Sequence, residues 1–156
     1  FHRLREYISK NADPTYAASI SMSTDGSRIA ISGSESTVSD MFRGFVDIFD
    51  AVTGLLVGKV TTESIEAVAP IVNVVISGDG NTLAVGTVFP TGGNLSSGVK
   101  VFELTTNALA QIDIVQMGTT IVAGAMGDLP GLRLDMSENG SSLVVGGRNY
   151  ENGQGQ

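Results

Sequence analysis

Ser23-Thr24-Asp25-Gly26-Ser27-Arg28-Ile29-Ala30-Ile31-Ser32-Gly33 is the stretch on which the fold turns, because it occurs three times. It returns as Ser77-Gly78-Asp79-Gly80-Asn81-Thr82-Leu83-Ala84-Val85-Gly86, and again as Ser137-Glu138-Asn139-Gly140-Ser141-Ser142-Leu143-Val144-Val145-Gly146. The glycines Gly26, Gly80 and Gly140 are spaced by 54 and 60 residues. Ahead of each copy runs an alternating segment. Ala18, Ile20 and Met22 correspond to Val72, Val74 and Ile76, and to Leu132, Leu134 and Met136. Period-two alternation assigns these residues to one buried face, and Ser19, Ser21, Asn73, Val75, Arg133 and Asp135 to the less buried one. After each turn, Ile29-Ala30-Ile31, Leu83-Ala84-Val85 and Leu143-Val144-Val145 are apolar on both faces, as in interior strands. Asp-Gly or Asn-Gly between two such runs predicts a hairpin, since glycine accepts the positive φ of a tight turn.

The downstream halves repeat as well. Val46-Asp47-Ile48-Phe49-Asp50 matches Val99-Lys100-Val101-Phe102-Glu103, and Thr53-Gly54 matches Thr106-Asn107. Each second turn leads into a further strand, Leu55 to Val60 and Leu109 to Val115. A full unit is therefore four short strands joined by turns, the size of one propeller blade. Helical periodicity is absent, and twenty glycines are ill suited to helix interiors.

An apolar strand, Ser-x-Asp-Gly-x-x-Leu-Ala-Val-Gly, a variable polar segment and Gly-x-Val-x-Val-Phe together resemble β-propeller repeats of the FG-GAP-like and WD40-like kind. The resemblance runs from about Tyr16 to Gln156. It implies an all-β fold of propeller-type blades, each of four antiparallel strands. Two features of such families are missing. There is no tryptophan for a Trp-Asp dipeptide, and the turns keep only Asp25, Asp79 and Asn139 of an Asp-x-Asp-x-Asp-Gly calcium loop. No metal or other cofactor is carried over.

The chain divides into 1–15, the outer strand of a preceding blade (Leu4 to Ile8) with a linker; 16–68 and 69–128, one blade each; and 129–156, the first half of a third. Propellers close with four to eight blades. The expectation is an incomplete propeller, a fragment of a larger one or one completed by copies or partners. A start at Phe1 rather than Met, without a secretory leader, also reads as a trimmed piece of something longer.

Composition narrows the function classes. With 42% apolar residues the chain has the means to build a core, and no apolar run approaches the ~18 residues of a membrane helix. No cysteine means no disulfide, thiolate metal site or cysteine nucleophile. The net charge is −7, and only six of the nine basic residues follow Lys10 against fifteen of the sixteen acids. Arg3, Arg5 and Lys10 make a small basic cluster that reads as the solvated edge of a strand. A nucleic-acid binder needs a basic stripe, and none is present.

The chemistry-bearing residues are few. His2 is the single histidine and stands at the extreme N-terminus, a poor place for a catalytic base. Asp47 alternates with Val46 and Ile48, which predicts a solvated face. Asp50 and Glu103 precede turns, where an acid satisfies backbone donors. Asp113 lies on a strand, and the structural reading is favoured for all four over paired glycosidase acids. Thr91-Gly92-Gly93-Asn94 and Gly146-Gly147 lack the helix and Lys-Ser/Thr of a phosphate loop. The segments after each second strand (33–43, 87–97 and from Arg148 onward) read as long loops gathered at one face, where partners bind. Met41, Phe42, Arg43, Phe89, Arg148 and Tyr150 are the partner-contact candidates there. Asn94-Leu95-Ser96 is a glycosylation acceptor in such a loop, and Asn139-Gly140-Ser141 fits the same rule in a tight turn.

The expected function is a non-enzymatic structural or protein-interaction module, a rigid platform whose partners are proteins or further blades. The alternatives are a fragment of a carbohydrate-active propeller enzyme and a non-catalytic glycan- or cation-binding repeat. A secreted, surface or organelle-lumenal setting is slightly favoured.

Overall fold

The computed structural model describes residues 16–36, 42–61, 71–91, 94–122 and 128–149. The expected strand at Leu4 to Ile8, together with His2, Met41 and Tyr150, lies outside them. The described residues form ten strands and no helix: β1 (Tyr16–Met22), β2 (Arg28–Ser36), β3 (Phe42–Asp50), β4 (Leu56–Thr61), β5 (Ile71–Ile76), β6 (Thr82–Thr91), β7 (Asn94–Thr106), β8 (Ile112–Val122), β9 (Asp128–Met136) and β10 (Leu143–Asn149). They make three antiparallel sheets, β1-β2-β3-β4, β5-β6-β7-β8 and the pair β9-β10. Strands therefore follow one another in chain order, as short connections between alternating segments require.

The repeated Ser-x-Asp-Gly sequence builds one turn three times. In the first, Gly26 N–H donates to Ser23 C=O at 3.0 Å, and Ser23 N–H donates to Arg28 C=O at 3.0 Å. Gly26, Gly80 and Gly140 have φ of 70°, 73° and 70°, the left-handed region that glycine enters without steric cost. Only the glycine has positive φ, so the loop is a β-turn followed by a left-handed residue, longer than a two-residue hairpin turn. Each first hairpin is also irregular at one equivalent place, just before Ser19, Asn73 and Arg133.

Stacking of the sheets makes the core. Ala30, Val46, Ile48, Val57 and Val60 of the first sheet pack against Val74, Ile76, Leu83, Val85, Phe102 and Leu104 of the second, with Ile112 and Ile114 of β8 at the margin. On the opposite face of the first sheet, Ile29, Ile31 and Phe49 form a second cluster with Ala51 and Leu56. The alternation predicts this side-chain parity, with one correction. Val74 and Ile76 are buried, whereas their equivalents Ile20 and Met22 are 61% and 58% exposed. The reason lies outside the segment: the first sheet shields Val74 and Ile76, and no described sheet stands in that relation to Ile20 and Met22.

A second correction concerns the long loops. Residues 33–36 and 42–43 are paired strand, Ser36 opposite Phe42 and Glu35 opposite Arg43. The β6–β7 hairpin stays paired out to Thr91 opposite Asn94. Polar side chains there do not prevent strand extension, because backbone pairing needs no apolar residue.

Candidate functional site

Of the candidate contact residues, Phe42, Arg43, Phe89 and Arg148 lie toward the strand ends away from the Ser-x-Asp-Gly turns, in paired strands rather than loops. Phe42 and Arg43 open β3, Phe89 is opposite Ser96, Asn94 opens β7, and Arg148 in β10 is opposite Leu129. The second glycosylation triplet is engaged otherwise: Asn139 Oδ1 accepts from Ser141 N–H at 3.1 Å and Ser141 Oγ at 2.7 Å.

At the opposite end the turns are tied into a belt. Asp25 N–H donates to Gly78 C=O at 3.1 Å, and Asp79 N–H donates to Glu138 C=O at 2.8 Å. Each turn is stiffened internally by its own acid. Asp79 Oδ1 accepts from Ser77 Oγ at 2.6 Å and Asn81 N–H at 3.0 Å. Asp25 does the same with Ser23 Oγ and Ser27 N–H. These bonds favour the charged carboxylate and hold both acids below their usual range, the serine hydroxyl contributing most. Arg28 fastens the first sheet to the second: its guanidinium donates to Gly80 C=O and to Thr106 Oγ1, the latter at 2.7 Å. The recurrent Asp is thus a turn and belt residue, and no metal role is needed to explain it.

The other carboxylates singled out in the sequence occupy different surroundings. Asp47 is fully buried, correcting its expected solvated position: it faces away from the second sheet, on the side of its cross-strand neighbours Ile31 and Lys59 and of Phe45. Lys59 Nζ lies 3.8 Å from Asp47 Oδ1 and 4.5 Å above the centroid of the Phe45 ring. Asp50 caps the β3–β4 turn, accepting from Thr53 N–H at 2.6 Å, the first of several causes that hold its pKa below the usual carboxylate value. Its expected equivalent Glu103 is exposed within β7. There Asn107 takes the capping role, its Oδ1 accepting from Leu109 N–H and Gln111 N–H. Asp113 accepts from Asn107 Nδ2 at 3.0 Å. Among the described residues no three His, Cys, Asp or Glu side chains gather as metal ligands.

Two features remain that sequence reading does not reveal. The first is a cleft of about 330 Å³ between the first two sheets, lined by Val60, Thr61, Val85, Thr87, Lys100, Phe102 and Gln116. The β7–β8 register shifts between Val99 and Val101, so that Met117 pairs with Val101 and Ile121 with Val99. Lys100 stands opposite Val85 of β6 on that face and has no regular partner on β8. The second feature is the far face of β8. Val115, Met117 and Ile121 share the side of Val99 and Val101 and are 60%, 48% and 46% exposed. The third sheet reaches only the inner part of this face: β9 packs across β5, β6 and β7. Val99 is buried, Val101 half-buried, and β8 beyond them is bare.

No family model matches the sequence, and comparison with curated proteins gives no match. Among solved structures the fold is similar to a chain of Kuenenia stuttgartiensis hydrazine synthase, with a TM-score of 0.50 and 17% identity. The likeness covers 85% of this chain and 39% of that one, so this chain spans well under half of its length. At that identity the likeness concerns the fold alone. Among the described residues no helix is long and apolar enough to cross a membrane.

Proposed function

We propose that this chain is a β-propeller-type segment serving as a structural or protein-interaction platform, completed by further blades or by partners. The supporting architecture is a row of stacked four-stranded meanders joined by a hydrogen-bonded turn belt. The observation that carries the reading is the asymmetry of burial. Val57 and Val60 on the outer strand of the first sheet are 9% and 8% exposed, whereas Val115 and Met117 on the outer strand of the second are largely open. Apolar side chains repeated along a sheet face, and left bare, mark a contact surface. Four of the described carboxylates serve the fold in support of this reading, Asp47 beside Lys59, Asp50 in its turn, and Asp25 and Asp79 in the belt.

Sedimentation velocity over a wide concentration range tests this. The expected result is concentration-dependent association, suppressed by Ile20→Lys, Met22→Glu, Met117→Glu and Ile121→Lys together, with an unchanged melting curve. A strictly monomeric species at every concentration contradicts the platform reading.

A further inference from the structure

We propose that the cleft between the first two sheets binds a small organic monoanion, a carboxylate carrying a short apolar or aromatic body, with Lys100 as the group that receives the charge. The inference stands apart from the platform reading, because the cleft lies between two described sheets and not on an outer face. Its floor is buried: Val60 closes it from β4, and Val85, Thr87 and Phe102 close it from β6 and β7. Thr61 and Gln116 are exposed and stand at its rim, and Lys100 is half-buried between floor and rim. A volume of about 330 Å³ lies within the range of small-molecule sites, whose apolar walls carry a few polar groups that orient the ligand.

The charge singles this cleft out. Lys100 continues the row of Phe102 and Leu104 on β7, whose side chains pack against the first sheet. At the matching position of the first repeat stands Asp47, and there the charge is answered within the sheet: Lys59, directly opposite on β4, has its Nζ 3.8 Å from Asp47 Oδ1. The second repeat reverses the sign without supplying the counter-charge. The register shift between Val99 and Val101 removes the regular β8 partner of Lys100, and its neighbour on β6 is the apolar Val85. Among the described residues no carboxylate pairs with Lys100. Two other polar groups of the lining are already engaged, Gln116 Nε2 donating to Gly118 C=O at 3.2 Å and Thr87 Oγ1 to Gly98 C=O at 3.5 Å. A half-buried cation beside apolar walls gains most from an anion that brings its own apolar surface, since charge and walls are then satisfied together. An inorganic anion would answer the ammonium and leave Val60, Val85 and Phe102 wet. A neutral apolar molecule would cover the walls and strip water from an unpaired charge.

The probe is benzoate, titrated into the full chain and followed by calorimetry and by amide chemical shifts. Benzamide serves as its uncharged counterpart and acetate as the anion without an apolar body. The expected result is saturable benzoate binding that shifts the amides of Thr87, Lys100 and Gln116. Benzamide and acetate should each bind about tenfold more weakly or worse, the factor expected for losing one charge-assisted hydrogen bond or the apolar contact. Lys100→Met keeps the apolar stem, removes the ammonium, and should lose the same factor for benzoate and none for benzamide. Benzoate that fails to saturate, or benzamide that binds the parent chain equally well, overturns the proposal. So does unaltered benzoate affinity in Lys100→Met, or a set of shifts confined to residues outside the cleft.

Discussion

The two outer strands, β4 and β8, hold corresponding places in successive sheets and have opposite surroundings. β4 is sealed by its neighbour: Val57 and Val60 are buried, and Gly58 allows Ile112 and Ile114 to close against the backbone. β8 seals β4 with one face and offers Val115, Met117 and Ile121 to solvent with the other. Both strands carry comparable apolar side chains, so composition does not set the difference. It is set by which described strands lie over each of them. Burial in a stacked repeat is a property of neighbours, as expected where each unit touches only the next.

The largest expected effect strikes the sealed side. Gly58→Leu forces bulk into the contact with Ile112 and Ile114 and should cost about 3 kcal/mol, at the upper end of overpacking penalties. Met117→Glu on the open side should stay within about 0.5 kcal/mol in the isolated chain. Comparable losses in urea titrations of the two variants would erase the contrast. Arg28→Ala comes next. It removes a cation that bonds Gly80 C=O and Thr106 Oγ1 across the same seam, and about 2 kcal/mol should be lost.

The turn belt sharpens the comparison further. Asp79→Ala deprives Ser77 Oγ and Asn81 N–H of their acceptor and should destabilise by about 1 to 2 kcal/mol. Asp79→Asn should be nearly neutral at pH 7, because Asn139 already fills that place in the third turn. The two differ again in acid. Asp25, Asp50 and Asp79 ionise more readily in the fold than in the unfolded chain. Their contribution is complete above the ordinary carboxylate pKa of 3.8 and disappears as the pH falls below it through the depressed values. Thermal melts across that window should show a shallower loss in Asp79→Asn than in the parent. A steeper loss would mean that the charge is unfavourable in the fold. The smallest effect is a gain. Ala110 sits at φ 58° in the β7–β8 turn, where the Ser-x-Asp-Gly turns have glycine, and Ala110→Gly should add about 1 kcal/mol. Lowered stability in that variant would show that the turn tolerates alanine without strain.

Much of this architecture is legible in residue order. The thrice-written Ser-x-Asp-Gly motif specifies the first hairpins, and Val46 to Asp50 against Val99 to Glu103 specifies the second. Such features depend on alternation and turn chemistry within a few residues. The exposure of Ile20 and Met22 is not legible, because their segment matches that of Val74 and Ile76 and only the absence of a described preceding sheet separates them. Asp47 misleads for the same reason in reverse: an acid between two apolar residues signals solvent unless Lys59 and Phe45 wait on that face. The strands through Phe42, Arg43, Phe89 and Asn94 extend by backbone pairing, which leaves no apolar signature. The belt from Asp25 to Gly78 and from Asp79 to Glu138 joins residues more than fifty positions apart.

Amide hydrogen exchange on the unliganded chain compares β6 with β10 directly. Among the described residues β6 is paired on both sides and β10 on one, so the amides of 82–91 should be protected along the strand. In 143–149, those facing β9 should be slow and those facing away fast. Uniform protection of β10 in dilute solution, equal to that of β6, would contradict the account.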